Sequence, residues 1–342
     1  MIFFFALIFI LTLILILLKL SHKYNLLSNY SGDLHQKYTF SYRIPLIGGT
    51  VFFLFLLIFI DLNYLIKFFL FFVYVIGTLS DLKLLESPTK RFILQLLIII
   101  LIVHFFNLNV TETRFAFLDY FLKNIFISLF FTSFCLLVVI NGTNFIDGNN
   151  ANVLGYYFTI SCLLMFLNIS EYPSIELNNI LLIIQVIFIL LIFNLLNKLY
   201  LGDSGAFLLG CFFGLISIKL YLLNTQIISS FFIVLILWYP AFENLFSILR
   251  KLYFFKSPAK ADNNHLHHLL YYFLIIKFKY NKLLANNIVG LAINSYNSII
   301  LFIGLKYLNN AQFIISLIFF NIFCYLVVYL LLYKFKNLTK KS

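Results

Sequence analysis

Three of the chain's six histidines, His265, His267 and His268, fall within four positions of the stretch ADNNHLHHLLY, with Asp262 just ahead of them. Four further polar clusters interrupt an otherwise apolar sequence. SDLKLLESPTKR sets Asp81 at the end of one apolar run, and Lys90 and Arg91 at the start of the next. NGTNFIDGNNANV packs five amide or acid side chains between Asn141 and Asn150. NKLYLGDSGAFLLG places Asp203 between glycines at the mouth of a further run, and HQKYTFSYRIPLIGGT follows Pro45 with the Gly48-Gly49 pair. Asp203 and Asp147 suit a hard divalent cation such as Mg²⁺, which takes one or two protein carboxylates and completes its shell with waters and substrate phosphates. Lysine, arginine and histidines around such an ion neutralise a diphosphate, so the inventory points to phosphoryl transfer by positioning and charge stabilisation. Ordinary nucleoside-triphosphate hydrolysis is disfavoured, because there is no Gly-rich P-loop signature.

Each cluster also has a plain structural reading. Asn and Asp make local turns, Asp203 or Ser204 suits a helix N-cap, and Lys90 and Arg91 serve equally as membrane-orientation signals. In a helix, His265 and His268 would share a face and His267 would point elsewhere. Zinc ligation by the histidines lacks a Cys or fourth ligand at a suitable spacing.

The elements that must carry these clusters are set by composition. The 342 residues are 63% hydrophobic and 20% aromatic with only 11% charged, the range of polytopic membrane proteins and not of soluble domains. With about 20 apolar residues needed per crossing, the sequence reads as all-α with eleven spans: 1–18, 44–60, 64–80, 92–108, 121–140, 152–168, 178–196, 205–222, 227–248, 285–305 and 311–333. The first lacks a preceding basic residue and a small-residue cleavage site, so it reads as a retained helix. Lys19 and Lys23 behind it favour an external N-terminus and, with an odd number of spans, a cytoplasmic C-terminus. In that arrangement only Lys67, Arg114, Lys123, Lys219 and Lys306 of the 24 Lys and Arg lie outside, and all five clusters face the cytoplasm. The whole of 1–342 reads as one integral-membrane domain, and 249–284 as a cytoplasmic loop carrying the histidine stretch and an interfacial helix marked by Lys277, Lys279 and Lys282. The net charge of +12 fits membrane orientation and anionic lipid; no interleaving of bases and aromatics suggests nucleic acid. Cys135, Cys162, Cys211 and Cys324 lack metal spacing and read as small core residues.

In their order, SDLKLLESPTKR, NGTNFIDG, LGDSGAFLLG, FENLFSILRK and ADNNHLHH resemble the motifs of the polyprenyl-phosphate N-acetylhexosamine-1-phosphate transferases, the bacterial group that includes WecA and MraY, and the His-x-His-His form is similar to the WecA-like branch. The resemblance implies transfer of a sugar-1-phosphate from a UDP-sugar to a polyprenyl phosphate in the inner membrane, with release of UMP, as the start of lipid-linked surface glycans such as O-antigen. It implies Mg²⁺, or Mn²⁺ in its place, with Asp203 as principal ligand and Asp147 beside it. Asp147, Asn141 and Asn144 would belong to the nucleotide-sugar and catalytic pocket. Asp262, His265, His267 and His268 would engage the diphosphate or the sugar nucleotide, Asp81 would orient or deprotonate the attacking phosphate, and Lys90 and Arg91 would contact phosphate. Membrane lipid is the surrounding partner, and a homodimer stays open.

Three positions depart from the family's pattern: Ser80 and Asn150 stand where aspartates are usual, and Leu46 stands where a basic residue is common, with Arg43 the nearest substitute. These departures keep an inactive homologue among the alternatives. A transporter or flippase is the rival class, expected to hold its site at mid-membrane between broken helices.

Overall fold

The computed structural model describes residues 1–24, 44–169, 176–255, 257 and 262–339. The first polar connection as far as Arg43, together with Glu171, Ala261 and the last three residues, lies outside the described residues. Among those described, every regular element is an α-helix, which satisfies the backbone's polar groups within each segment where lipid offers them no partner. The helices are α1 (Ile2–Tyr24), α2 (Gly48–Phe59), α3 (Tyr64–Asp81), α4 (Pro88–Phe105), α5 (Ala116–Leu122), α6 (Ile125–Ile146), α7 (Asn152–Ile169), α8 (Leu177–Leu195), α9 (Gly202–Leu223), α10 (Ser230–Ile236), α11 (Trp238–Tyr253), α12 (Leu266–Phe278), α13 (Lys282–Leu305) and α14 (Ala311–Thr339).

Each of the eleven expected spans falls on a helix or helix pair, yet only eight helices among the described residues are long and apolar enough to cross a membrane, or nine if α10 and α11 form one bent span. α2 has 12 residues, about 18 Å against a hydrocarbon core of about 30 Å. The span expected at 227–248 is broken, with α10 and α11 meeting at 75°. Pro240 supplies the reason: it has no N–H to give the carbonyl of Ile236, which instead accepts from the Tyr156 hydroxyl at 2.7 Å.

At the centre stands α9, with 18 of its 22 residues buried. It packs most heavily on α3, α6 and α2. Small residues permit this: a methyl on Gly49 would run into the Gly205 backbone, and one on Gly77 into Ser204. Backbone bonds from Gly48 N–H to Tyr200 O and Gly49 N–H to Leu201 O, both 3.0 Å, lock the start of α2 to the approach to α9. By contrast α1 is apolar all round but buries only Ala6, Ile10, Ile14 and Ser21. One stripe at helical spacing meets protein and the rest, including Phe4, Leu11 and Leu15, faces outward as a lipid-solvated helix does. The cysteine expectation holds for Cys211, which is buried, and not for Cys135, which is exposed on the outward side of α6.

The segment 249–284 is less loop than expected. α11 runs on to Tyr253, and α12 buries Leu269, Tyr271 and Leu274 while packing on both α13 and α14. Lys277, Lys279 and Lys282 stay exposed, with Lys279 in the left-handed region ending α12.

Candidate functional site

The polar clusters meet at one end of the bundle, around the first turn of α9. Gly202 opens that turn at φ +77°, where an L side chain is strained, and a Cβ there would lie 2.8 Å from an Asp81 carboxylate oxygen. Asp81, at the end of α3, accepts from the backbone N–H groups of Asp203 (2.8 Å) and Ser204 (3.1 Å). These amides have no partner within the helix, and a carboxylate suits a helix N-terminus. Asp81 therefore fixes α9 against α3.

Asp203 itself is held from three helices. Asn144 Nδ2 donates to Oδ1 at 2.6 Å, Ser80 Oγ to Oδ2 at 2.5 Å, and Arg91 Nη1 to Oδ2 at 2.8 Å. Arg91 also donates to Ser80 Oγ. Ser80, one of the three departures, thus gives Asp203 a hydroxyl donor where an aspartate would set a second negative charge. Arg91 reaches the cluster and Lys90 does not: its side chain is exposed, with no hydrogen bond or ion pair among the described residues.

Asp147 follows the last residue of α6 and is partly exposed. No hydrogen bond reaches its carboxylate among the described residues. Enclosure by protein, then the charges of Asp203 and Asp81, push its pKa well above the ordinary carboxylate range. A cation beside it would reverse that effect. A bare carboxylate next to Asp203, whose Oδ1 has one hydrogen bond, fits a divalent ion of the Mg²⁺ type. Among the described residues no three His, Cys, Asp or Glu converge as a ready-made cage; Mg²⁺, unlike Zn²⁺, does without one by using substrate phosphates.

The histidines close over the residue after Asp147. A Cβ on Gly148 would collide with His267 Nε2 and stand 2.8 Å from His268 Cε1. His265 and His267 lie with ring centroids 5.6 Å apart and planes 17° apart, and His267 and His268 are 4.2 Å apart. All three rings cluster, against the expectation that His267 would point elsewhere. The helix begins only at Leu266, so extended backbone at His265 (φ −73°, ψ 151°) turns its ring toward His267.

Behind the histidines lies a layer that joins Asp262, an expected site residue, to Glu243, Arg250 and Lys251, which were given no role from sequence. Glu243 accepts from His265 Nδ1 at 2.9 Å and from the Tyr325 hydroxyl at 2.5 Å. Asp262 is bonded by Arg250 Nη2 at 2.8 and 2.9 Å, and lies 3.5 Å from His265 Nε2. The Lys251 ammonium sits 5.6 Å from the ring of Phe145, next to Asn144 in the chain. A signal was present in FENLFSILRK: Glu243, Ser247, Arg250 and Lys251 sit at helical spacing, a buried polar stripe that begins inside the span expected at 227–248 and continues past its end.

Of the expected site residues, Asn141 turns elsewhere. Asn141 donates to Gln95 Oε1 at 3.0 Å, joining α6 to α4. Asn149 donates to Asn286 (2.5 Å) and Asn150 to Asn287 (2.9 Å), while Asn194 accepts from Ala151 N–H (2.7 Å). The asparagines after Asp147 clasp its loop to α13 and α8 instead of lining a ligand pocket. Asn150→Asp replaces a buried donor by a carboxylate facing the Asn287 oxygen. It is expected to lower the apparent unfolding temperature in detergent by several degrees, from a cost of about 1–3 kcal/mol or more, with no gain in turnover.

A groove of about 590 Å³ runs between α4 and α6, lined by Phe92, Leu96, Phe130, Phe131, Phe134 and Leu137 among wholly apolar side chains. The groove runs along α6 as far as Phe126 and Ile127, near the start of that helix.

The model of glycosyl transferase family 4 matches residues 62–221, which include Asp81, Arg91, Asn144, Asp147 and Asp203. An undecaprenyl-phosphate alpha-N-acetylglucosaminyl 1-phosphate transferase of Thermotoga maritima is 33% identical over 72 residues, 21% of this chain. The match spans 23% of that relative's length.

Proposed function

We propose, from the premise that this chain belongs to glycosyl transferase family 4, that it transfers N-acetylhexosamine-1-phosphate from a UDP-sugar to a polyprenyl phosphate and releases UMP. The observation that carries the reading is the gathering of Asp203, Arg91, Asn144 and Ser80, with Asp147 and the histidines adjoining, at one end of an apolar bundle. The wholly apolar groove between α4 and α6 suits the chain of a lipid acceptor. UDP-N-acetylglucosamine is the donor and undecaprenyl phosphate the acceptor we favour, from the activity named for the Thermotoga protein. The excess of Lys and Arg at this end of the chain's connections favours a cytoplasmic site in a plasma membrane.

In the proposed reaction an oxygen of the lipid phosphate attacks the phosphorus that carries the sugar. The bond from that phosphorus to the UMP oxygen breaks, and the products are a polyprenyl-diphospho-sugar and UMP. A phosphate monoester has its second pKa near about 6, so the nucleophile is largely dianionic at neutral pH and needs no strong base. Asp81 accordingly acts by holding the first turn of α9, because its two oxygens are bonded to backbone there. Those same bonds occupy the helix N-terminus, so the diphosphate is met by side chains: Arg91 on one side, His267 and His268 on the other. Asn144 and Ser80 keep Asp203 in register. Asp203 and Asp147 are the residues that would hold Mg²⁺, which when bound would offset charge on the diphosphate and on departing UMP.

The test is UMP release from UDP-N-acetylglucosamine by detergent-purified protein, with and without undecaprenyl phosphate and Mg²⁺. Release that requires both is expected. Absence of release with that donor and with other UDP-N-acetyl sugars overturns the proposal and leaves an inactive homologue.

A further inference from the structure

Glu243 is a fully buried carboxylate in a chain that has few, and the reaction outlined above does not use it. A buried ionisable group is seldom the most stable filling for its space, since a well-packed apolar side chain of similar volume usually does as well or better. Its contacts show what it does instead. One oxygen accepts from His265 Nδ1 at 2.9 Å, the other from the Tyr325 hydroxyl on α14 at 2.5 Å. The ring of His265 then meets Phe145 on one side, at 5.6 Å, and His267 on the other. His267 and His268 in turn fill the space over Gly148, beside Asp147. An unbroken run of contacts therefore leads from α14, a helix bearing none of the reacting groups, through Glu243 to the wall of the site.

The strand of chain before α12 is held mainly by Arg250 and Lys336. His265 precedes the helix, and its backbone is extended. Arg250 secures Asp262 (2.8 Å), and Lys336 on α14 donates to Asn263 O (2.9 Å) and Asn264 Oδ1 (2.8 Å), but neither touches the imidazole. Two carboxylates meet the imidazole, Glu243 at 2.9 Å from Nδ1 and Asp262 at 3.5 Å from Nε2, and the closer, fully buried Glu243 sets the ring's rotation, in the way that carboxylates orient histidines elsewhere by taking an N–H.

We infer that Glu243 is a positioning residue for the histidine wall, acting through His265 and backed by Tyr325. The inference rests on the transferase reading for its activity readout, and its geometry stands apart from it. Loss of such an orienting partner characteristically costs about 10–100-fold. Glu243→Ala is thus expected to lower kcat/KM for the UDP-sugar by that factor. Glu243→Gln keeps an oxygen for His265 and an amide that Tyr325 can accept from, so it restores most of the loss. Tyr325→Phe has a smaller effect in the same direction.

The deciding measurement is a double-mutant cycle of Glu243→Ala with His265→Ala, read by UMP release and by unfolding temperature, alongside ¹⁵N-histidine spectra of wild type and Glu243→Gln. If Glu243 acts through His265, its removal costs nothing further in turnover once the imidazole is gone. Additive losses, or a Glu243→Ala protein with turnover within about threefold of wild type, overturn the inference. Should Glu243→Ala fail to fold, the ¹⁵N-histidine spectra decide, and a His265 Nδ1–H signal identical in wild type and Glu243→Gln overturns the inference. A wild-type protein that releases no UMP is the separate failure of the transferase reading; the spectra then decide the role of Glu243 by themselves.

Discussion

Asp203→Asn is expected to reduce UMP release at least about 10³-fold, about 4 kcal/mol of transition-state stabilisation, while the protein still folds. The geometry sets both halves of this result. Folding survives because the anchor of the first α9 turn is Asp81 bonding to the backbone of Asp203 and Ser204, which the substitution leaves intact. The new amide can still turn its oxygen toward Ser80 and Arg91, and Asn144 can flip to accept from its nitrogen. Activity falls because the site loses the charge that pairs Arg91 and that would bind the cation. An isolated guanidinium then competes for the diphosphate in a ground-state complex it cannot convert. Turnover above about a tenth of wild type at saturating Mg²⁺ would contradict the assignment, since one unit of charge at the reacting centre is worth far more than that factor.

Asp147→Asn is expected to do two opposite things: abolish transfer to a similar degree and raise the apparent unfolding temperature in EDTA by a few degrees. The wild-type carboxylate has no hydrogen-bond donor among the described residues and stands close enough to Asp203 and Asp81 to feel both charges. An enclosed carboxyl must either keep its charge against burial and those neighbours or take up a proton on folding, and the amide does neither, so the metal-free protein gains stability at neutral pH. Excess Mg²⁺ should stabilise the wild type more than the variant, because binding to the folded state alone raises stability by mass action. The measurement is a pair of thermal unfolding series, with EDTA and with Mg²⁺. A variant less stable than wild type in EDTA would mean that Asp147 has a structural partner instead of serving as a ligand in waiting.

The two predictions also mark how far residue types and order reach. The motif residues Asp81, Arg91, Asn144, Asp147, Asp203 and the three histidines stand out because ionisable and amide groups are costly in apolar surroundings, so each must have a reason to be there. That signal names the residues but not their duties. Asp81, expected to orient or deprotonate the attacking phosphate, accepts from backbone at the start of α9; Asn149 and Asn150 join their loop to α13; Lys90 and Arg91 look equivalent, and one reaches the cluster while its neighbour is exposed. Adjacent residues at the head of a helix point about 100° apart, and only the packing of α4 against α6 and α3 selects between them.

The sequence by itself determined that this is an all-helical membrane protein, roughly where its helices lie, and that its polar chemistry collects at one end. These follow from periodic apolar content and from the cost of burying charge, which are properties of each segment taken alone. The tertiary structure decided what depends on segments meeting. It broke one span at Pro240, because the freed Ile236 carbonyl found the Tyr156 hydroxyl on another helix. It also brought Glu243 and Tyr325 behind His265, 22 residues from Glu243 in sequence, and set Ser80 between Asp203 and Arg91. A hydrogen bond is satisfied only within a few tenths of an ångström and with its donor aligned, so the partner of each polar group is settled by how the helices pack, and no spacing along the chain contains that information.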